Sequence, residues 1–243
     1  MNSLQIFSTR RSKGFFLAGL GAALTAVLVV SLLIGSVKAD PRDIFAALLG
    51  RDRESTTARI ILYSRLPRTC AALLAGAALA VSGMVIQTVL NNPLASPSVI
   101  GVNSSAGFAV ALVCALFPTM QKHTPLIAFI GALAGVLLVM VLAQSTVAAR
   151  ITVVLAGVAI SNLFNAGIDA VVTLVPDALN SVTDFRIGGF TGVTMSQLAA
   201  PARIIAVSLV LLLTLSHQLD ILSLGTDTAK SLGLAVGRMR IVF

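Results

Sequence analysis

Charge is what this chain has little of: 11% of its residues are charged against 57% hydrophobic, and its mean hydropathy is +0.98. So few charges cannot clothe a soluble globule, and the apolar runs are too long and too many for one water-soluble core. Chemistry-bearing groups are scarce as well. The two histidines, His123 and His217, lie far apart near the ends of apolar runs. The two cysteines, Cys70 and Cys114, have no metal or redox spacing and read as space-fillers in apolar helices. No Ser, His, Cys or paired-carboxylate constellation occurs, and no glycine-rich phosphate loop followed by Lys and Ser or Thr. These absences exclude the common hydrolase and nucleotide-binding chemistries. No catalytic residue, metal, cofactor or nucleic-acid partner is expected, and any energy source must sit on another chain.

What the chain does have is a set of membrane-length runs at residues 15–37, 69–90, 98–117, 125–145, 151–175 and 199–218. Each is near the roughly 20 residues needed to cross about 30 Å of hydrocarbon. The expected fold is therefore an all-α, polytopic membrane helical bundle with about six spans. The first run follows Arg10, Arg11 and Lys13, but its apolar core of about 23 residues exceeds a signal peptide's roughly 7 to 15, so it reads as a retained span. With the amino terminus in the cytoplasm, seven Lys and Arg lie inside and ten outside, against the positive-inside bias. The amino-terminal cluster sets the expected orientation nonetheless, which leaves the first external loop basic for a reason other than topology.

In that loop, Asp40 can cap a helix beginning at Pro41, with an apolar stripe of Ile44, Phe45, Leu48 and Leu49 and an end at Gly50. Arg65 and Arg68 sit three apart at the mouth of the second span with no acid nearby. They read either as interfacial anchors that snorkel or as a positive pair that captures carboxylates of a soluble partner. Ala72, Gly76 and Ala80 in the second span and Gly131 and Gly135 in the fourth recur every four residues, the pattern of close helix packing in lipid.

In the fifth span Gly157, Ser161, Asn165 and Asp169 recur at intervals of four, and helical geometry puts them on one face. Two readings stay open: interhelical hydrogen bonding, or a helix lining a polar pathway. Asn91 to Pro97 forms a short non-helical link, since proline disfavours helix at the residue before it. It reads as a tight turn or as a constriction. Residues 219–240 read as two short helices punctuated by Ser223-Leu224-Gly225 and Ser231-Leu232-Gly233, either a docking surface or a surface-lying connector.

The order Arg65-Leu66-Pro67-Arg68, Leu74-Ala75-Gly76-Ala77, Ser82-Gly83, Gln87, Asn92-Pro93-Leu94-Ala95, Pro97 and Gly101 covers the first half of a known pattern. Leu155-Ala156-Gly157-Val158, Leu224-Gly225, Ala229 and Leu232-Gly233 continue it. The chain thereby resembles the FecCD family, permease subunits of bacterial ABC importers for iron-siderophore complexes, haem and cobalamin. The resemblance implies one permease domain over residues 1–243, about six spans of a roughly ten-helix subunit in the bacterial cytoplasmic membrane. It also implies a second permease subunit, cytoplasmic ATP-binding subunits and an extracytoplasmic substrate-binding protein.

By the same resemblance, Arg65 and Arg68 dock the binding protein and Asn92 and Leu94 belong to an inner gate. Gly157, Ser161, Asn165 and Asp169 line the pathway. Leu224, Gly225, Ala229, Leu232 and Gly233, within residues 219–240, couple to the ATPase. Iron-siderophore is the expected cargo, as the commonest in the family. Two departures stand out: Phe185 with Gly188-Gly189 where the family often has Trp before Gly-Ser, and an end at Phe243 where the family continues for about four more helices. The chain is therefore expected to be incomplete at its carboxy terminus. The alternatives are an ion-gradient-driven carrier using Asp169, and a membrane anchor that recruits a cytoplasmic partner through residues 219–240.

Overall fold

In hydrocarbon every backbone amide must find its partner within its own segment or a closed sheet, so long apolar runs without alternation fold as helices. The computed structural model of the chain describes residues 10–35, 37, 40–51, 55–93, 95–144 and 149–243, and every regular element among them is helical. In order these are α1 (Arg10–Leu33), α2 (Pro41–Leu48), α3 (Thr56–Ile60), α4 (Leu66–Leu90), α5 (Val102–Leu116), α6 (Thr124–Gln144), α7 (Ala149–Leu174), α8 (Leu179–Ile187), α9 (Met195–Thr214), α10 (Ser216–Ser223), α11 (Thr226–Ser231) and α12 (Val236–Val242). Five helical stretches are long and apolar enough to span: Ser12–Leu33, Thr56–Leu90, Thr124–Leu142, Leu155–Leu174 and Met195–Thr214. The third expected run forms the 15-residue α5, because residues 97–101 coil into a turn before it.

The second span begins well before residue 69. From Thr56 to Leu90 the helix is continuous over 35 residues, about 52 Å at 1.5 Å per residue. The join between α3 and α4, Ile61–Arg65, is π-helical, with the Leu66 amide donating to the Ile61 carbonyl five residues back. Pro67 explains the local widening. It has no amide to give the Tyr63 carbonyl, and its ring crowds that oxygen. Tyr63, the chain's single tyrosine, is 76% exposed there.

The chain divides into two units, residues 1–76 with 190–205 and residues 77–189 with 206–243. In the first, Ile44, Ala47, Ala58 and Ile61 form a small core joined by Leu32, Leu33 and Leu62. The expected helix at Pro41 is α2, and Asp40 holds its N-cap position, although the carboxylate makes no capping bond. The apolar stripe splits: Ile44 turns inward while Phe45 and Leu49 are exposed. Gly50, at φ +73°, ends α2 with Gly50 N donating to Ala47 O at 3.1 Å and Arg51 N to Ala46 O at 2.9 Å. That paired pattern is the Schellman cap.

In the second unit α5 packs against α6, α7 and α8. Val110, Ala111, Cys114, Ile168, Ala178 and Val182 are buried together, and Phe108 stacks on Phe164 with ring centroids 5.3 Å apart. Glycine lets α6 and α7 approach this closely. A Cβ at Gly131 would lie 2.9 Å from the Ser105 carbonyl oxygen, and one at Gly167 would lie 2.6 Å from the Phe108 ring. Ala72, Gly76 and Ala80 are exposed, and among the described residues nothing lies within 4 Å of a Cβ at Gly76.

Candidate functional site

Arg65 and Arg68 lie within the long helix rather than at its mouth, and their surroundings differ. Arg65 is 9% exposed. Its Nη1 donates to the carbonyls of Leu32 at 2.7 Å and Leu33 at 3.0 Å, and its Nη2 donates to the Val37 carbonyl. Arg68 is exposed and has no carboxylate within 4 Å among the described residues. One turn beyond Arg65, Thr69 shares a 2.9 Å hydrogen bond with Ser31 of α1. The sequence marks both arginines but not this division, because Arg65's partners are backbone carbonyls, which carry no side-chain signature.

The fifth-span residues do not gather at one point. A strict interval of four advances about 40° per step at 3.6 residues per turn, so Asp169 is rotated about 120° from Gly157. Gly157 is buried, and a Cβ there would lie 2.8 Å from Ile100 Cα. Ser161 Oγ donates to the Ser98 carbonyl at 3.5 Å, Asn165 is half-buried, and Asp169 is exposed with Oδ1 3.4 Å from Arg186 Nη1 of α8. An exposed pair of this kind contributes about 0.5 kcal/mol. Sequence reasoning passed over Ser104 and Ser105, which are buried and return their hydroxyls to the Gly101 carbonyl at 3.1 and 2.8 Å.

At the far end of α4, Asn91 takes φ +46° and is the non-glycine residue with positive φ among those described. Asn91 N donates to Thr88 O at 3.1 Å and Asn92 N to Gln87 O at 3.0 Å, a Schellman cap with asparagine in the left-handed position. The link that follows is non-helical, as the prolines require. Ala95 N donates to Asn92 O at 3.1 Å. Asn92 is half-buried, and Leu94 lies outside the described residues.

Residues 216–242 form three short helices where two were expected. The preceding span ends at Thr214, and α10 takes up residues expected to belong to it. Leu222, Ala229 and Val236 hold the three together. Leu224 and Leu232, at the two ends of α11, are each 60% exposed. Gly225 and Gly233 take φ +100° and +84°, and Asp227 and Lys230 occupy the first and last turns of α11 as its dipole prefers. A Cβ at Gly225 would lie 3.5 Å from Asn91 Nδ2. The end of α4 and the α10–α11 elbow therefore touch, a proximity that sequence reasoning missed.

This arrangement of membrane helices, a capped link and short terminal helices matches known proteins. The FecCD transport family matches residues 23–243. The chain belongs to the FecCD transport family. The Fe(3+)-citrate import system permease protein YfmE of Bacillus subtilis is 31% identical over 238 residues, covering 97% of this chain and 71% of the relative. The ferric enterobactin transport system permease protein FepD of Escherichia coli is 34% identical over 227 residues, covering 92% and 68%. A solved structure described as a metal-chelate type ABC transporter in an inward-facing conformation superposes with a TM-score of 0.78 at 26% identity, covering 93% of this chain and 70% of the other. This FecCD protein is thus an ABC transporter permease, a multi-pass protein of the bacterial cytoplasmic membrane, and it spans about 70% of the length of these relatives.

Proposed function

We propose that this FecCD protein is the permease subunit of an ABC importer that carries an iron-siderophore across the cytoplasmic membrane. The observation that carries this reading is the family match over residues 23–243, supported by relatives named for Fe(3+)-citrate and ferric enterobactin. A second permease subunit completes the pathway, two ATP-binding subunits attach from the cytoplasm, and a soluble binding protein delivers cargo from outside. The amino terminus is cytoplasmic, so Arg68 faces outward and Asn91 inward. Arg68 meets a carboxylate of the binding protein. Asn92 and Leu94 belong to the inner gate, and Gly157, Ser161, Asn165 and Asp169 belong to the helix beside the pathway, with Gly157 setting its packing distance.

Leu224, Gly225, Ala229, Leu232 and Gly233 form the coupling segment. Leu224 and Leu232 present apolar side chains to the ATPase, Ala229 holds α11 to its neighbours, and the glycines turn the chain at both ends. ATP-driven closure of the partner ATPases shifts the population between outward- and inward-open states. The contact of Asn91 with Gly225 supports a short mechanical route from that segment to the gate. Asp169, which a gradient-driven carrier would need for its ion, is paired with Arg186.

The test is a detergent pull-down of the gene product tagged at its amino terminus, comparing wild type with Leu232→Asp. An ATPase subunit that follows the wild type and is lost with the substitution is the expected result. If the wild type brings down no ATPase, the gradient-driven carrier takes first place.

A further inference from the structure

A helix that lies along a bilayer surface sinks its apolar side to the boundary of headgroups and acyl chains and keeps its charges among the headgroups. Helix α2 has that form. Its inner side, Ile44 and Ala47, is buried with Ala58 and Ile61 against Leu32 and Leu33 of α1. A second apolar side stays open, with Phe45 70% and Leu49 65% exposed. At about 100° per residue, Arg42 lies about 60° from Phe45 and about 20° from Leu49, whereas Asp43 lies about 160° and about 120° away. Two observations set the height of α2. Leu32 and Leu33 close the membrane-length run of α1, none of which is buried in the protein. Ile61, in the π-helical turn, shares their core, and two residues further on Tyr63 is exposed, an aromatic side chain suited to the headgroup level. Helix α2 therefore lies where hydrocarbon gives way to water.

Between α1 and α2 runs a groove of about 150 Å³ lined by Val29, Leu32, Leu33, Pro41, Ile44 and Phe45, and its wall is wholly apolar. An apolar cavity of roughly this size stays dry and takes a hydrocarbon as large as benzene, so the groove matches a short stretch of acyl chain. Beside it, Pro41 is flanked in the chain by Asp40 and Arg42, both exposed. The Asp40 carboxylate makes no capping bond, and neither residue has an ion-pair partner among the described residues.

We propose that this groove is a phospholipid site: it seats part of one acyl chain, while Arg42 meets the phosphate diester and Asp40 the ammonium of a zwitterionic headgroup. Water and ions are poor occupants, since six apolar residues offer them no hydrogen-bond partner. The two opposite charges select the headgroup. An anionic lipid satisfies Arg42 but meets like charge at Asp40, and a lipid that also bears an ammonium satisfies both. Charge complementarity at the mouth and continuity with the lipid-facing side of α1 thus point to the same occupant. The site depends on membrane insertion alone, so a failed ATPase pull-down leaves it untouched.

The experiment uses the full gene product in nanodiscs of phosphatidylethanolamine and phosphatidylglycerol in equal parts. A trace of either lipid, carrying a diazirine on one acyl chain, is photoactivated, and adducts are mapped by peptide mass spectrometry. Phosphatidylethanolamine is expected to label Leu33 or Phe45 about fivefold more than phosphatidylglycerol does, the fold-change of one exposed charge pair. No such preference is expected at Phe15, 80% exposed towards the opposite end of α1. Asp40→Asn, which keeps a side chain able to cap α2, should abolish the preference, and Arg42→Gln should lower groove labelling by both lipids about threefold. Val29→Phe, which fills the groove, should shut both lipids out of it. Equal labelling by the two lipids in the groove would mean bulk lipid only and would overturn the proposal. So would an unlabelled groove, which would mean that protein covers α2. Should Val29→Phe fail to fold, the wild-type preference and the two exposed charge variants still decide.

Discussion

Helices α1 and α5 invert what hydrophobicity would teach in a soluble protein. The span in α1, Ser12–Leu33, is apolar apart from Ser12, Lys13, Thr25 and Ser31, and none of it is buried in the protein. Helix α5 carries Asn103, Ser104, Ser105 and Gly107 in its first two turns, yet it is enclosed, with Ser105 at 3% and Ala111 at 0% exposure. In lipid a leucine gains nothing by leaving the hydrocarbon for a protein interior, so close approach of backbones and satisfied hydroxyls decide which helix becomes the core. Small residues mark the packed helix of the second unit, and large aliphatic ones mark the helix that the first unit leaves uncovered.

The comparison breaks most sharply at glycine. Gly157→Leu forces a side chain into the backbone at Ile100 and is expected to cost more than about 3 kcal/mol, seen as loss of the monodisperse peak in size-exclusion chromatography. Gly19→Leu in α1, where a Cβ meets nothing within 4 Å among the described residues, is expected to elute as wild type. Next is Ser105→Val, which both overfills the contact with Gly135 and removes the bonds to Gly101 and Val102. It should lower stability by about 2 kcal/mol, measured by thermal unfolding in detergent.

The cysteines set one residue type in two environments. Cys114→Leu, at 5% exposure beside Val110 and Ile168, should cost about 1.5 kcal/mol, whereas Cys70→Leu, half-buried, should cost a few tenths. The smallest effect is expected at Leu24→Ala in α1. Truncating a core leucine costs roughly 2–5 kcal/mol, and truncating this one should lower stability by less than about 0.5 kcal/mol by the same thermal unfolding. A larger loss would mean that the face carrying Leu24 packs against protein rather than lipid.

The membrane class and the approximate position of the spans were legible, because composition and run length report directly on the solvent. Gly131 and Gly135 were legible as a packing stripe, and Gly50, Gly225 and Gly233 as helix ends, since each answers a steric need that only a small residue meets. The early start of the long helix was not. Its first turn, Thr56 to Arg59, is polar except for Ala58, and Pro67 reads as a boundary when a π-helical turn in fact absorbs it. The seat of Arg65 was hidden because carbonyls are common to all residues. The fifth-span stripe was legible as periodicity but misleading as a surface, since its step of four outruns the 3.6-residue turn. Asn91 meeting Gly225 joins positions 134 apart in sequence, a tertiary contact with no local trace.

Pro67 and the widened turn before it leave Tyr63 standing 76% exposed in a chain with no tryptophan and no second tyrosine. Tyrosine emission from these residues therefore originates at a single address, two residues before Arg65 and five before Arg68. A carboxylate or small-molecule quencher that arrives there reports itself through a native fluorophore, with no label attached.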